Sequence, residues 1–362
     1  MIERLRMLVE HESPTSDEEA CRALMDDCAE VYRTIGAVTE IVAGDGGTPV
    51  LLARFGAQRR PGLIVGHVDT VFPHGELARR PFTVTGNLAT GPGVLDMKAG
   101  LVQLEQAVRL HPDADVTVLL NADEEIGSPR SARVIRELAA SAAWALILEP
   151  ATADGKIKTA RKGIGLYELK VTGRAAHPGL DFTRGVNAAV EAAHQTLALA
   201  ALTDLDAGTT VNVGLCTAGT GRNVVPAAAT VDFESRFWTE TEANRVDKAV
   251  HALEANDPRA TLSVSGGVHK PPFERDERVA AMFALARRCA AELGWDLQET
   301  AVGGVSDGNI TASMNVPTLD GLGAVGGGAH SADEFALVDA MPMRAAWLAR
   351  LIAELGNTAR WR

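Results

Sequence analysis

Two hydrophobic patterns share this chain, and the point where one gives way to the other limits the folds open to it. Up to about residue 162, short β-branched runs at 48–55, 62–68, 116–121 and 144–148 alternate with helical stretches such as 98–110. That alternation implies a sheet with helices on its faces. The order then changes to strand 164–173, helix 185–202, paired strands 209–218 and 224–237, helix 242–256 and strand 261–266. This β-α-β-β-α-β order is the ferredoxin-like unit. Pro271-Pro272 closes it, and helix 276–293, strand 316–319 and helix 343–355 return to the first pattern. The expectation is a mixed-sheet α/β domain of residues 1–162 plus 273–362, carrying an inserted ferredoxin-like domain of residues 163–272. Ser16-x-x-Glu19 and Thr239-x-x-Glu242 read as capping boxes, and Ser128-Pro129 as the cap and first position of a further helix.

At 362 residues the chain is long enough for two domains, and a formal charge of −12 argues against nucleic-acid or anionic-membrane partners, which need clustered basic surface. The charged, amphipathic N-terminus lacks the apolar core of a signal peptide, and no run of about 18 apolar residues offers a membrane span. Cys21, Cys28, Cys216 and Cys289 are scattered, without a Cys-x-x-Cys pair, and read as core thiols of a reducing compartment. A cytoplasmic location is expected.

Chemistry gathers at the strand ends of the outer pattern. Strand 62–68 ends in His67-Val68-Asp69, Asp96 precedes helix 98–110, strand 116–121 runs into Asp123-Glu124-Glu125, strand 144–148 into Glu149-Pro150, and His330 follows Gly326-Gly327-Gly328. Ligands of open α/β sheets bind at these carboxyl ends. Imidazoles and carboxylates without thiolate are the donor set of a catalytic rather than a structural zinc. His67, Asp96, Glu125, Glu149 and His330 exceed one four-coordinate ion, but suit two ions sharing a carboxylate. Asp69 can then orient the His67 ring, and Glu124 can accept a proton from water. Each residue alone has a plainer reading: a structural histidine, an N-cap at Asp96, a solvated turn at Glu124-Glu125. Their coincidence at equivalent topological points favours the metal site.

Four segments carry a resemblance: Gly66-His67-Val68-Asp69-Thr70-Val71-Phe72-Pro73, Gly91-Pro92-Gly93-Val94-Leu95-Asp96-Met97-Lys98-Ala99-Gly100, Asp123-Glu124-Glu125-Ile126-Gly127-Ser128 and Gly173-Arg174-Ala175-Ala176-His177-Pro178-Gly179. They resemble the co-catalytic di-zinc metallopeptidases, which include glutamate carboxypeptidases, acetylornithine deacetylases, succinyl-diaminopimelate desuccinylases and aminoacylases. Gly266-Gly267-Val268 and Gly326-Gly327-Gly328-Ala329-His330-Ser331 bring the likeness nearest to the glutamate carboxypeptidase branch. The resemblance implies an exopeptidase catalytic domain in which Asp96 bridges two zinc ions, with cobalt or manganese as substitutes. His67 and Glu149 complete one site, Glu125 and His330 the other. Glu124 is then the general base, Asp69 orients His67, and the peptide after Asp96 is often cis. The inserted domain becomes a lid and homodimer interface, and His177 from the partner subunit stabilises the oxyanion.

The resemblance also implies that Asn223, Arg236 and Lys270 hold the substrate's carboxylate and polar groups, and that Gly328 and the loop with Ser306 and Asp307 line its pocket. Lys270 stands where an arginine is expected, and lysine lacks the bidentate fork. Asp307-Gly308 is equally an ordinary turn. Gly321-Leu322-Gly323-Ala324-Val325-Gly326 matches a dinucleotide fingerprint in letters, but no helix follows, so it reads as a loop bringing backbone close to the site. The implied activity is hydrolysis of an amide bond in a small peptidyl or N-acyl amino acid. The alternatives are an N-acyl-amino-acid deacylase and, more remotely, a relative that binds amino-acid conjugates without cleaving them.

Overall fold

The computed structural model describes residues 1–357, which divide into two compact units. The first takes in Met1–Thr159, Arg275–Val302 and the chain from Ser306 onward; the second is Ala160–Glu274 with Gly303–Val305. The second unit thus exceeds residues 163–272 by a few positions. One reason is that Arg161 donates to the Gly304 carbonyl at 3.0 Å, attaching that short loop to it.

A six-stranded sheet organises the first unit, in the order Val38–Ala43, Pro49–Phe55, Val116–Asn121, Gly62–His67, Ala145–Ile147, Thr318–Leu319. The first two joins are antiparallel and the remaining three parallel, so the sheet is mixed. Every residue of Gly62–His67 and Val116–Asn121 is buried. That explains their continuous apolar character, since strands covered on both faces do not alternate. Leu63, Val65, Leu119 and Ile147 pack with Ile135 and Ile310 in one core cluster. Burial of each such side chain contributes roughly 1.5–3 kcal/mol. Helices Ala99–Leu110 and Ala340–Asn357 pack on each other, and Trp347 donates its indole N–H to the Ala286 carbonyl at 2.9 Å. Among the described residues, no helix is long and apolar enough to cross a membrane.

The second unit is an antiparallel sheet in the order Thr210–Ala218, Ala228–Phe237, Gly163–Thr172, Thr261–Lys270. Helices Ala188–Ala200 and Glu240–His251 contribute Ala192, Leu199, Val246 and Val250 to its core with Tyr167, Leu169, Val231 and Phe233. The strand expected over 224–237 begins only at Ala228, after Pro226, which has no N–H for a ladder. Cys216 is exposed on the edge strand, whereas Cys21, Cys28 and Cys289 are buried, so the expectation of four core thiols fails at one position.

Local signals shift by small amounts. Asp17, not Ser16, caps helix Glu18–Ile35, accepting from the Ala20 amide at 3.0 Å. Thr239 caps Glu240–His251 as its motif indicates. Ser128 is not a helix cap: its φ is +59°, its hydroxyl donates to Asp307, and the helix starts later, at Ala132. Asp123 caps that turn instead, accepting from the Arg130 and Ser131 amides at 2.8 and 3.1 Å.

The glycine-rich segment after Thr318–Leu319 is a close backbone approach and not a nucleotide loop. A Cβ on Gly323 would fall on the Leu148 carbonyl oxygen, and Gly323 donates its N–H to the Glu149 carbonyl at 2.9 Å. Buried Arg344 lies over the Trp295 and Trp347 rings and donates to the carbonyls of Gly323 and Gly321 at 2.6 and 2.8 Å. Gly323→Ala is therefore expected to destabilise the protein by about 2 kcal/mol through overpacking against fixed backbone. Gly303→Ala, with nothing within 4 Å of the added Cβ, should be close to neutral in the same urea titration.

Candidate metal centre

The parallel strands deliver their carboxyl ends to one edge of the sheet. His67 is the last residue of its strand and pairs with Asn121, the last of the next; Glu124 and Glu125 follow three and four residues on. Glu149 lies just past Ala145–Ile147. Asp96 occupies the irregular turn Val94–Lys98, ahead of helix Ala99–Leu110, and its peptide bond to Met97 is cis. It is therefore not the N-cap its position could suggest.

Asp96 stands between two imidazoles. Its Oδ1 is 3.2 Å from His67 Nε2, and its Oδ2 is 3.3 Å from His330 Nε2. Glu149 approaches the same nitrogen of His67 at 3.9 Å, and Glu125 that of His330 at 3.0 Å. His67 Nδ1 lies 2.9 Å from the Asp69 carbonyl. A proton there leaves the Nε2 lone pair facing the carboxylates, the tautomer a metal requires. Among the described residues, two groups place their donor atoms within 4.8 Å of one another: His67 with Glu124 and Glu149, and His67 with Asp96 and Glu125.

Charge in this cluster is strongly coupled. Hydrogen bonds to Asp96 and then Glu125 push the His330 imidazolium up to about 10. For His67, burial alone would lower the pKa, but the carboxylates of Asp69 and Asp96 outweigh it and raise it well above the usual value. Burial would raise Asp96, yet the two histidines hold it well below the ordinary carboxylate range. The donors thus attract positive charge strongly. All-oxygen-and-imidazole chemistry, with one carboxylate presenting an oxygen to each half, fits a pair of divalent cations.

Acids outside this donor set hold the backbone in place. Asp69 is fully buried; it accepts from the Glu124 and Glu125 amides at 3.3 and 3.2 Å and from the Thr15 hydroxyl at 2.8 Å. Its carboxylate is 3.4 Å from His67 Nδ1, so its carbonyl, not its side chain, makes the shorter contact with the ring. Glu334 accepts from the Gly93, Leu95 and Asp96 amides at 3.0, 2.9 and 3.0 Å, and burial pushes its carboxyl up to about 7. Lys98 is buried too, donates to the His11 carbonyl at 2.8 Å, and is lowered to about 8 by that burial. Sequence reasoning missed Thr15, Lys98 and Glu334. The only cue for Glu334 is its place four residues after His330, beside an equally acidic Asp333.

The expected substrate residues part company. Ser306 and Asp307 are buried: Ser306 donates to Asp320 at 2.6 Å, and Asp307 accepts from Asn121 at 2.6 Å and from Ser128. Both side chains are thus engaged by polar groups at the strand ends. Gly328 has φ +72°, and a Cβ there would lie 2.6 Å from the Asp333 carbonyl oxygen, so the loop itself demands glycine. His177, Asn223, Arg236 and Lys270 all belong to the second unit. His177 is exposed and accepts from the Gly179 amide at 3.1 Å; Asn223 is exposed as well. Arg236 pairs with Glu234 at 3.0 Å, and Lys270 is only 2% exposed.

Sheet order, strand-end donors and a shared carboxylate define the class of metal-assisted hydrolases built on an α/β sheet. The chain belongs to peptidase family M20/M25/M40, whose model matches residues 63–354, and with that family it is a hydrolase acting on amide bonds. It is 31% identical to carboxypeptidase G2 of Pseudomonas sp. (strain RS-16), over 98% of this chain and 89% of that one. It is 30% identical to a succinyl-diaminopimelate desuccinylase of Variovorax paradoxus (strain S110), over 90% of each. The fold is similar to the crystal structure of a tripeptidase from Staphylococcus aureus, with a TM-score of 0.77 at 19% identity over 99% of this chain and 98% of that one.

Proton competition offers a direct check on the donor set. Both histidines have pKa values raised above the unfolded level near 6.5, so without metal their pairing contributes stability that is full below that pH. For His330 it is lost as pH rises through about 10. Metal loading near pH 7.5 is expected to displace about two protons per chain and to tighten as pH rises. An indicator-dye titration in weak buffer reads the count, and a value near zero would exclude the imidazoles as ligands.

Proposed function

We propose that this chain hydrolyses the amide bond of a small peptidyl or N-acyl amino acid in the manner of a glutamate carboxypeptidase, with two zinc ions per chain. The observation that carries the reading is the division of Asp96 between His67 and His330. His67, Asp96 and Glu149 would hold one ion; Asp96, Glu125 and His330 would hold the other. Cobalt or manganese would suit the same donors. When bound, such a pair supplies Lewis-acid polarisation of the amide carbonyl and acidifies water toward pKa ~7.

The chain's own residues do the rest. Glu124 accepts the proton of the attacking water and returns it to the leaving amine nitrogen. Asp69, by holding the Glu124 and Glu125 amides, fixes where that carboxylate points. The inserted unit serves as lid and dimerisation domain. Supporting this, it exposes Leu180, Phe182, Leu197, Leu205 and Leu215, apolar side chains that such an interface could cover. His177 of the partner subunit donates to the developing oxyanion. Asn223, Arg236 and Lys270 recognise the carboxylate end of the substrate, Lys270 as a point charge without a fork.

Deacylation of an N-acyl amino acid by the same residues is the second reading, favoured by the 30% identity to the desuccinylase. A panel of peptidyl, folyl, acetyl- and succinyl-amino acids decides between the two. Much faster turnover of the acetyl or succinyl substrates would replace the carboxypeptidase reading. Glu124→Ala should keep its metal content and lose about 10²–10⁴-fold in kcat. Substantial residual turnover would remove Glu124 from the role of base.

A further inference from the structure

One carboxylate joins two segments that each carry a proposed ligand. The turn before Asp96 points three backbone N–H groups, those of Gly93, Leu95 and Asp96, into one concavity. Neighbouring amides that converge in this way form an anion-binding nest, while the intervening Val94 N–H donates to the Gly91 carbonyl at 3.3 Å. The anion that fills it is the chain's own Glu334: Oε1 takes Leu95 and Asp96, and Oε2 takes Gly93. Glu334 is 1% exposed, and 241 residues separate it from Gly93.

Glu334 is itself firmly mounted. The following strand, Phe335–Leu337, pairs with Leu88–Thr90 and with Gly326–Gly327, so the loop that carries His330 leaves and rejoins one small sheet. Inside that loop the Ser331 amide donates to the Gly328 carbonyl at 3.0 Å. From outside, the Arg80 guanidinium donates to the carbonyls of Ser331 and Ala332 at 3.2 and 3.0 Å. His330 and Glu334 thus sit in one hydrogen-bonded loop, and Glu334 joins that loop to the Asp96 turn.

We propose that Glu334 is a positioning residue of the metal centre: by filling the amide nest of residues 93–96 it sets the separation of Asp96 from His330 before any ion binds. The inference rests on reading Asp96 and His330 as ligands. It goes beyond that reading because Glu334 contributes no donor atom to the centre. Groups that orient ligands in this way typically govern metal affinity by about 10–100-fold.

Glu334→Gln preserves volume but turns an N–H₂ toward backbone N–H groups, replacing one acceptance by a donor–donor clash. Chelator competition with zinc and with cobalt should show about 10–100-fold weaker metal binding than wild type at a temperature where both are folded. Excess metal should then restore turnover. Equal affinity in the two proteins would overturn the inference, and so would weakening that merely tracks lost stability in denaturant. Wild type that takes up no metal would overturn the ligand reading instead, and this inference with it. A measurement on wild type alone guards against a variant that fails to fold. In metal-free full-length protein, hydrogen exchange should find the amides of residues 93, 95 and 96 already protected. Free exchange that slows only on metal loading would show that the ion, not Glu334, sets the turn.

Discussion

Carboxylates buried side by side repel one another and lose hydration, so a fold that turns Asp96, Glu125 and Glu149 toward one point must bring positive charge to it. Two imidazoles meet part of that need, each gripped by the acids so firmly that its proton is retained far above the usual pH. Divalent cations meet it more completely, because they neutralise more charge in the same space. The surrounding backbone is arranged by other acids, which face N–H groups rather than the centre. Asp69 fixes the Glu124-Glu125 turn, Asp123 the turn to the next helix, and Glu334 the Asp96 turn. Acids turned to backbone amides thus build the frame, and acids turned to the two imidazoles gather negative charge at its centre.

Sheet topology makes this division feasible. Three parallel joins put the ends of Val116–Asn121, Gly62–His67, Ala145–Ile147 and Thr318–Leu319 at one edge, so residues remote in sequence arrive together. The last strand then passes into glycine-rich backbone that lies directly on Leu148 and Glu149. Arg344, a buried cation held by carbonyls and two indole faces, fastens that backbone from behind. A guanidinium suits the place because its flat, forked donors reach several carbonyls while its face stacks on tryptophan.

What the sequence reveals follows from what periodicity and residue type encode. Largely apolar runs at 62–67 and 116–121, without polar alternation, mark doubly covered strands, and a histidine or acid at such an end is conspicuous. The β-α-β-β-α-β order of the inserted unit is legible for the same reason. Partner choice is not encoded locally. Among Asp123, Glu124 and Glu125, only the fold reveals that the first turns inward to cap Arg130 and Ser131. Nor does the sequence reveal that Ser306 bonds Asp320, or that Asp307 bonds Asn121 and Ser128. The strand Val38–Ala43 goes unread because it lies at the sheet edge, where its short β-branched stretch is neither unbroken nor cleanly alternating. Glu334 is hidden deepest, since its meaning lies in amides 241 residues away.

On the proposed reading, chemistry and selectivity fall to different stretches of the chain. The donors and the acids that mount them lie in the first unit; His177, Asn223, Arg236 and Lys270 lie in the second. If those four recognise the substrate as proposed, a change in the inserted unit would alter which acyl group or amino acid is accepted while the buried hydrogen bonds around Asp96 stay intact. Relatives named for a carboxypeptidase and for a desuccinylase are nearly equal in identity to this chain, at 31% and 30%. Near-equal likeness to differing activities is what a shared reaction centre with exchangeable recognition produces, since folds fix the chemistry's frame while specific side chains fix its object. On the proposed reading, the burial of Lys270 and the pairing of Arg236 with Glu234 would temper how this chain holds a substrate carboxylate, because a cation already engaged within the protein offers such a group less than a free one does.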